Sequence, residues 1–194
     1  VASDIDIASN ALLLIGDSPI SSFSEEGAGA TVAAALYPDT YDKLLSEHPW
    51  SFAFKEQQLN RLSEAPDPLT NFNNAFQLPT DLIRLWAILP HSNYVIVGSL
   101  LYSNQEELLA RYIFRPPETS LPPHFVKFFE YALASDFAIS VTEDIQKAQY
   151  YAAKSQVAGA KARSVDSQGR PQIGIIDSPF VDVRMGGDTL SGRF

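Results

Sequence analysis

The stretch LLSEHPWSFAFKEQQL, Leu44 to Leu59, decides how this chain is partitioned. Upstream of it, Val32, Leu36, Leu44 and Leu45 recur at helical spacing, so a helix is expected from Glu25 or Ala28 to about Glu47. Pro49 cannot continue that helix, and it biases His48 away from helical angles. Downstream the period falls to two, with Phe52 and Phe54 alternating against Ala53 and Lys55, which reads as a strand from Ser51 onward. Trp50 stands at the joint. It is either a core aromatic that locks the helix to the strand or a residue of a subunit contact, and the first is favoured.

Working outward toward the start, Ser3 or Asp4 caps a first helix whose Ile5, Ala8, Leu12 and Ile15 share a face and which Gly16 closes. GDSPISSFSEEGAGA is then a loop. Pro38 lies inside the second helical pattern, where a kink or break is expected. Toward the end, AFQLPTDLIRLWAILP reads as two extended pieces around Pro79, NYVIVGSLLYS as a hairpin turning at Gly98-Ser99, and LLARYIFRP as a further strand. A dense apolar helix follows from LPPHFVKFFEYALASDFAISV, then a more polar one over Glu143–Ala162 whose small residues favour close helix contact.

The expected class is therefore α+β: a helical bundle formed by N- and C-terminal helices, an inserted antiparallel β region, and an extended C-terminal arm. One domain covers 1–164, with its helical body in 1–50 and 122–164 and the β region in 51–116; the arm is 165–194. The arm is broken by Gly, Pro and Ser yet carries Ile173, Ile175, Ile176, Phe180, Val181, Val183, Met185 and Phe194. An apolar arm of that kind is expected to be laid on a partner.

A length of 194 residues with 45% hydrophobic and 19% charged content suits one globular domain with an elaboration. No cysteine is present, which excludes disulfides and thiolate chemistry. No apolar run reaches the roughly 20 residues of a membrane span, and no membrane association is expected. Asp4 and Asp6 precede ALLLIG where a signal peptide would be basic, so secretion is not expected. A net charge of −9 disfavours gripping nucleic acid, without excluding a protein that surrounds it.

Catalytic chemistry finds little footing. His48, His91 and His124 each neighbour a proline, and no two share a metal-ligand spacing. Ser18 in GDS follows a helix rather than a strand, and no histidine comes after His124 to serve it. The pairs Glu25-Glu26, Glu106-Glu107 and Glu143-Asp144 read as helix-start electrostatics. No cofactor is expected.

The order of motifs resembles the tail tubular protein A family, the head-to-tail adaptor or gatekeeper proteins of tailed bacteriophages. The likeness runs from about Ile5 to Pro171 through NALLLIGDSPISSF, YDKLLSEHPWSFAFKEQQL, FQLPTDLIRLWAI, YVIVGSLLYS, LLARYIFRP and AKARSVDSQGRP. Its most specific elements are Glu47 to Ala53 and Leu78-Pro79-Thr80-Asp81. The resemblance implies a structural virion protein that is not an enzyme, made in the host cytoplasm and built into the head–tail junction. It implies a homo-oligomeric ring, commonly a dodecamer, between the portal protein and the tail nozzle or tube protein, with DNA passing through the channel without specific binding. His48, Pro49 and Trp50 would be the hinge between helical body and β region, and the arm would dock on the portal. A tail-completion or other ring-forming scaffold protein is the alternative, and a small enzyme with an unrecognised site a more distant one.

Overall fold

The computed structural model describes residues 2–63 and 71–169. Four helices and two antiparallel sheets make an α+β fold in which the β region is inserted between the second and third helices. Helix α1 spans Asp4–Ile15. Ser3 opens it with a reciprocal cap: its hydroxyl accepts from the Asp6 N–H at 3.1 Å, and the Asp6 carboxylate accepts from the Ser3 N–H at 3.0 Å. Gly16 ends it in the left-handed region at φ 90°, a conformation that costs glycine nothing.

Helix α2 spans Ala28–Glu47 with Pro38 inside it, so the chain does not break there. Proline forfeits one bond, to the carbonyl four residues back. That carbonyl belongs to Ala34, an exposed residue, so solvent can take the bond. Helix α3 (Pro123–Thr142) begins on Pro122-Pro123, and α4 covers Ile145–Gln168, capped by Asp144, whose carboxylate accepts from the Lys147 N–H at 3.0 Å. Helix α4 therefore continues past Val165, the expected start of the arm. Of the three acidic pairs only Glu143-Asp144 lies at a helix start. Glu25 instead accepts the Ser21 N–H and hydroxyl in the loop before α2, and Glu106-Glu107 precede a strand.

Helix α3 is the hub, packing on α1, α2 and α4. Its Phe125, Phe128, Phe129, Leu133 and Phe137 are all buried, and Tyr41 of α2 stacks on Phe129 with ring centroids 5.0 Å apart. The buried positions of α4 are Ala148, Ser155, Gly159, Ala162 and Asp166, mostly small residues, while Ala153 and Ala160 are exposed. At Gly159 a Cβ would stand 2.8 Å from Phe128 Cε2, so the glycine is what lets the Phe128 ring lie against the α4 backbone.

The strands are β1 (Phe54–Gln58), β2 (Asn60–Arg61), β3 (Asn74–Gln77), β4 (Leu82–Leu89), β5 (Tyr94–Val97), β6 (Leu100–Ser103) and β7 (Leu109–Phe114). They form the sheets β1-β7-β4 and β2-β3-β6-β5. The strand expected from Ser51 begins only at Phe54, because Ser51–Ala53 coil into one 3₁₀ turn closed by the Ala53 N–H on the Trp50 carbonyl at 3.1 Å. Two apolar cores result. The larger lies among the helices; the smaller gathers Leu59, Phe76, Leu78, Ile88, Leu101 and Tyr112 between the sheets. Strand β7 is the wall between them, since alternation sends Ala110 and Tyr112 into the β core and Ile113 into the helical one.

The sheet edges are unequal. β2 is two residues long, whereas β5 sets Tyr94, Val95, Ile96 and Val97 at its sheet's other edge with all four side chains exposed. Among the described residues, no helix is long and apolar enough to cross a membrane.

The Phe128 ring cannot retreat from Gly159, being buried beside Trp50 and Phe125. Gly159→Ala is therefore expected to destabilise by about 1–2 kcal/mol, the overpacking cost outweighing the gain in helix propensity. Urea denaturation measures it, and a stabilised variant would contradict this account of the α3–α4 contact.

Candidate functional site

The joint after α2 is built from the helix's own needs. The last four carbonyls of a helix lack intrahelical partners, and α2 has no glycine to close it. His48 exits at φ −142° instead, as expected before Pro49. Two side chains answer the freed carbonyls. The Trp50 indole N–H donates to the Leu44 carbonyl at 2.9 Å, and Arg84 of β4 donates from Nη1 to the Ser46 carbonyl at 2.8 Å. The second bond ties the helix end directly to the β region.

Trp50 is wholly buried, as a core aromatic. Its ring meets His48 edge-on at 4.8 Å and Phe125 of α3 edge-on at 5.0 Å, with Phe52 at 5.8 Å. Aromatic pairs in these arrangements add about 0.5–1.5 kcal/mol each beyond the area they bury. His48, Pro49 and Trp50 thus stand together at the joint.

The residue that sequence reasoning missed is Asp166, in the last turn of α4. It is 4% exposed, and its carboxylate accepts the Ser51 N–H at 3.0 and 3.1 Å and the Ser51 hydroxyl at 2.5 Å, with His48 Nε2 3.8 Å away. A buried carboxylate is tolerable only with such bonds. A signal existed: an acid in a helix's last turn opposes the macrodipole, so its position asks for another purpose.

A second joint lies inside the β region, at Leu78-Pro79-Thr80-Asp81. The Asp81 carboxylate is 2.7 Å from Lys55 Nζ on β1 and accepts the Tyr112 hydroxyl of β7 at 2.9 Å. The Lys55 ammonium, with smaller help from Tyr112, holds the Asp81 carboxyl below its ordinary value, while Lys55 itself is raised by Asp81. Burial pushes the Tyr112 phenol up.

The proposed arm residues Ile173, Ile175, Ile176, Phe180, Val181, Val183, Met185 and Phe194 lie outside the described residues. Among the described residues, no group of three or more histidines and carboxylates stands close enough to hold a metal ion. What the two joints can do is mechanical: they fix the angle at which the helical body passes the chain to the sheets.

Asp166→Ala is expected to cost about 1–2 kcal/mol by removing the charge-assisted bonds to Ser51, whose exposed position lets water take over part of the loss, and Asp166→Asn less because it keeps one acceptor; equal and negligible losses in thermal unfolding would refute the brace. For Asp81 the folded value is depressed, so its stabilisation is complete above 3.8 and disappears as pH falls through the lower folded value. Since the Lys55 pair is exposed, Asp81→Asn should cost below about 1 kcal/mol at neutral pH, and the difference from the parent should close in acid. No family model matches the chain, and comparison with curated proteins finds no match.

Proposed function

We propose that this protein is a structural virion subunit, a head-to-tail adaptor that forms a ring between the portal and the tail of a bacteriophage and leaves a channel for DNA. The observation that supports this reading is where the two most specific elements of the resemblance stand. Glu47 to Ala53 makes the joint between helical body and β region, and Leu78 to Asp81 makes the joint within the β region. Motifs of an adaptor would be spent on fixing layers at set angles, because each layer meets a different neighbour.

The roles follow as parts of the proposal. The helical body packs side by side around a ring of about a dozen copies, and the β region faces the tail nozzle or tube. The arm beyond α4 docks on the portal. With a net charge of −9, carboxylates facing the channel would repel DNA phosphates and let the genome slide. The subunit is made in the host cytoplasm and works at the head–tail junction.

The test is electron microscopy of the portal protein from the same genome mixed with the full chain or with a truncation. The truncation must begin at Arg170, since removal from Val165 would take Asp166 and open the joint. The full chain should add a symmetric ring, and the truncated chain should fold yet fail to join. Absence of any ring with the full chain overturns the adaptor reading; equal binding by both overturns the arm's part in it.

A further inference from the structure

The neighbours of α3 give the helical body two dissimilar outer faces. Helices α2 and α4 line a groove of about 310 Å³ whose walls include Lys43, Glu47, Gln156 and Arg163. The other flank of α4 lies toward α1, where Lys147 Nζ donates to the Ile15 carbonyl at 2.8 Å and the Tyr151 hydroxyl to the Leu14 carbonyl at 2.6 Å. Outside that flank, Tyr150, Lys154, Val157 and Lys161 follow one another at helical intervals and form one stripe. Val157 is 72% exposed and Tyr150 54%. With Tyr131 of α3 they line a hollow of about 400 Å³ that has no carboxylate in its wall. The Lys154 ammonium stands 4.7 Å from the Tyr150 ring and 5.6 Å from Tyr131, which keeps the cation on the apolar surface.

The outer stripe of α2 is its counterpart. Ala28, Thr31, Ala35 and Asp39 are all exposed and share one side of the helix, with the exposed Glu25 and Glu26 just ahead of them. One face is large, apolar and cationic; the other is small and acidic. They look away from the bundle on different sides, α4's stripe beyond its α1 flank and α2's away from α3.

We infer that the Tyr150–Lys154–Val157–Lys161 stripe of one copy seats on the Ala28–Thr31–Ala35–Asp39 stripe of the next copy. The complementary charge selects a second copy of this chain as the occupant, and the small residues of α2 let the two helices approach closely. The contact is heterologous, so it repeats head to tail and closes into a ring when the rotation permits. It rests on the adaptor reading for the number of copies that close, and on these two faces for what touches what. It also moves the subunit contact away from the buried small residues of α4 to its exposed stripe, where Ala153 and Ala158 share the hollow with the bulky side chains.

The absence of cysteine gives a direct test. Full-length Ala35→Cys and Val157→Cys chains are mixed, oxidised mildly and separated by mass, while sedimentation follows the association of the parent chain. The mixed disulfide should far exceed its random share, and each variant alone should give little dimer. Reversal by Lys154→Glu with Lys161→Glu, on exposed positions and with folding checked by circular dichroism, should weaken association at least tenfold, as should added salt. A parent chain that stays monomeric at about millimolar concentration, a random disulfide distribution, or association indifferent to the reversal each overturns the proposal. A mixed disulfide without any ring on the portal would uphold the face pairing and remove the adaptor reading alone.

Discussion

A single buried carboxylate governs how the parts of this protein hold together. Asp166 is carried into the interior at the end of α4, and its bonds from the Ser51 N–H and hydroxyl help make that position tolerable. The same bonds hold Ser51 in its turn and so set the course of the chain after Trp50. Trp50 in turn closes α2 through the Leu44 carbonyl and presses on Phe125 at the start of α3. Three helices and the entry to the first sheet therefore converge within a few residues, and none can shift alone. The cost of leaving the buried Asp166 carboxylate or the Trp50 indole N–H unpaired is what makes the convergence rigid.

The β region is joined to this core by alternation rather than by a linker. Strand β7 sends Ile113 to the helices and Tyr112 to the sheets, so a single backbone separates two apolar interiors. The Tyr112 hydroxyl reaches Asp81, and Asp81 reaches Lys55, which ties β1 and β7 to the entry of β4 at one point. Rigid coupling between two differently built halves suits a part that must present separate surfaces at a set distance.

Much of this was legible in the sequence, because periodicity reports burial. The helical spacing of Leu12 and Ile15, the hairpin at Gly98-Ser99 and the helical run from Pro123 all correspond to observed elements. What escaped has physical reasons. Pro38 reads as a break only if its lost bond matters, and on an exposed side it does not. Phe52 fits a strand's alternation, yet local bonding coils it into a turn. Several small residues of α4 are buried within the chain, with Gly159 against Phe128, and composition cannot tell which side of a helix is inward. Asp166 and Arg84 act over long sequence separations, and nothing periodic marks such partners.

The bare edge of β5 carries a consequence of a different kind. Four exposed apolar residues, an unbulged register against β6 and neither lysine nor proline within the strand leave its outer hydrogen-bonding groups open to any other strand. Two waiting copies can satisfy one another there, and such encounters grow with the square of their number. Solubility then becomes a question of stoichiometry: how fast the chain is made relative to how fast its destination takes it up.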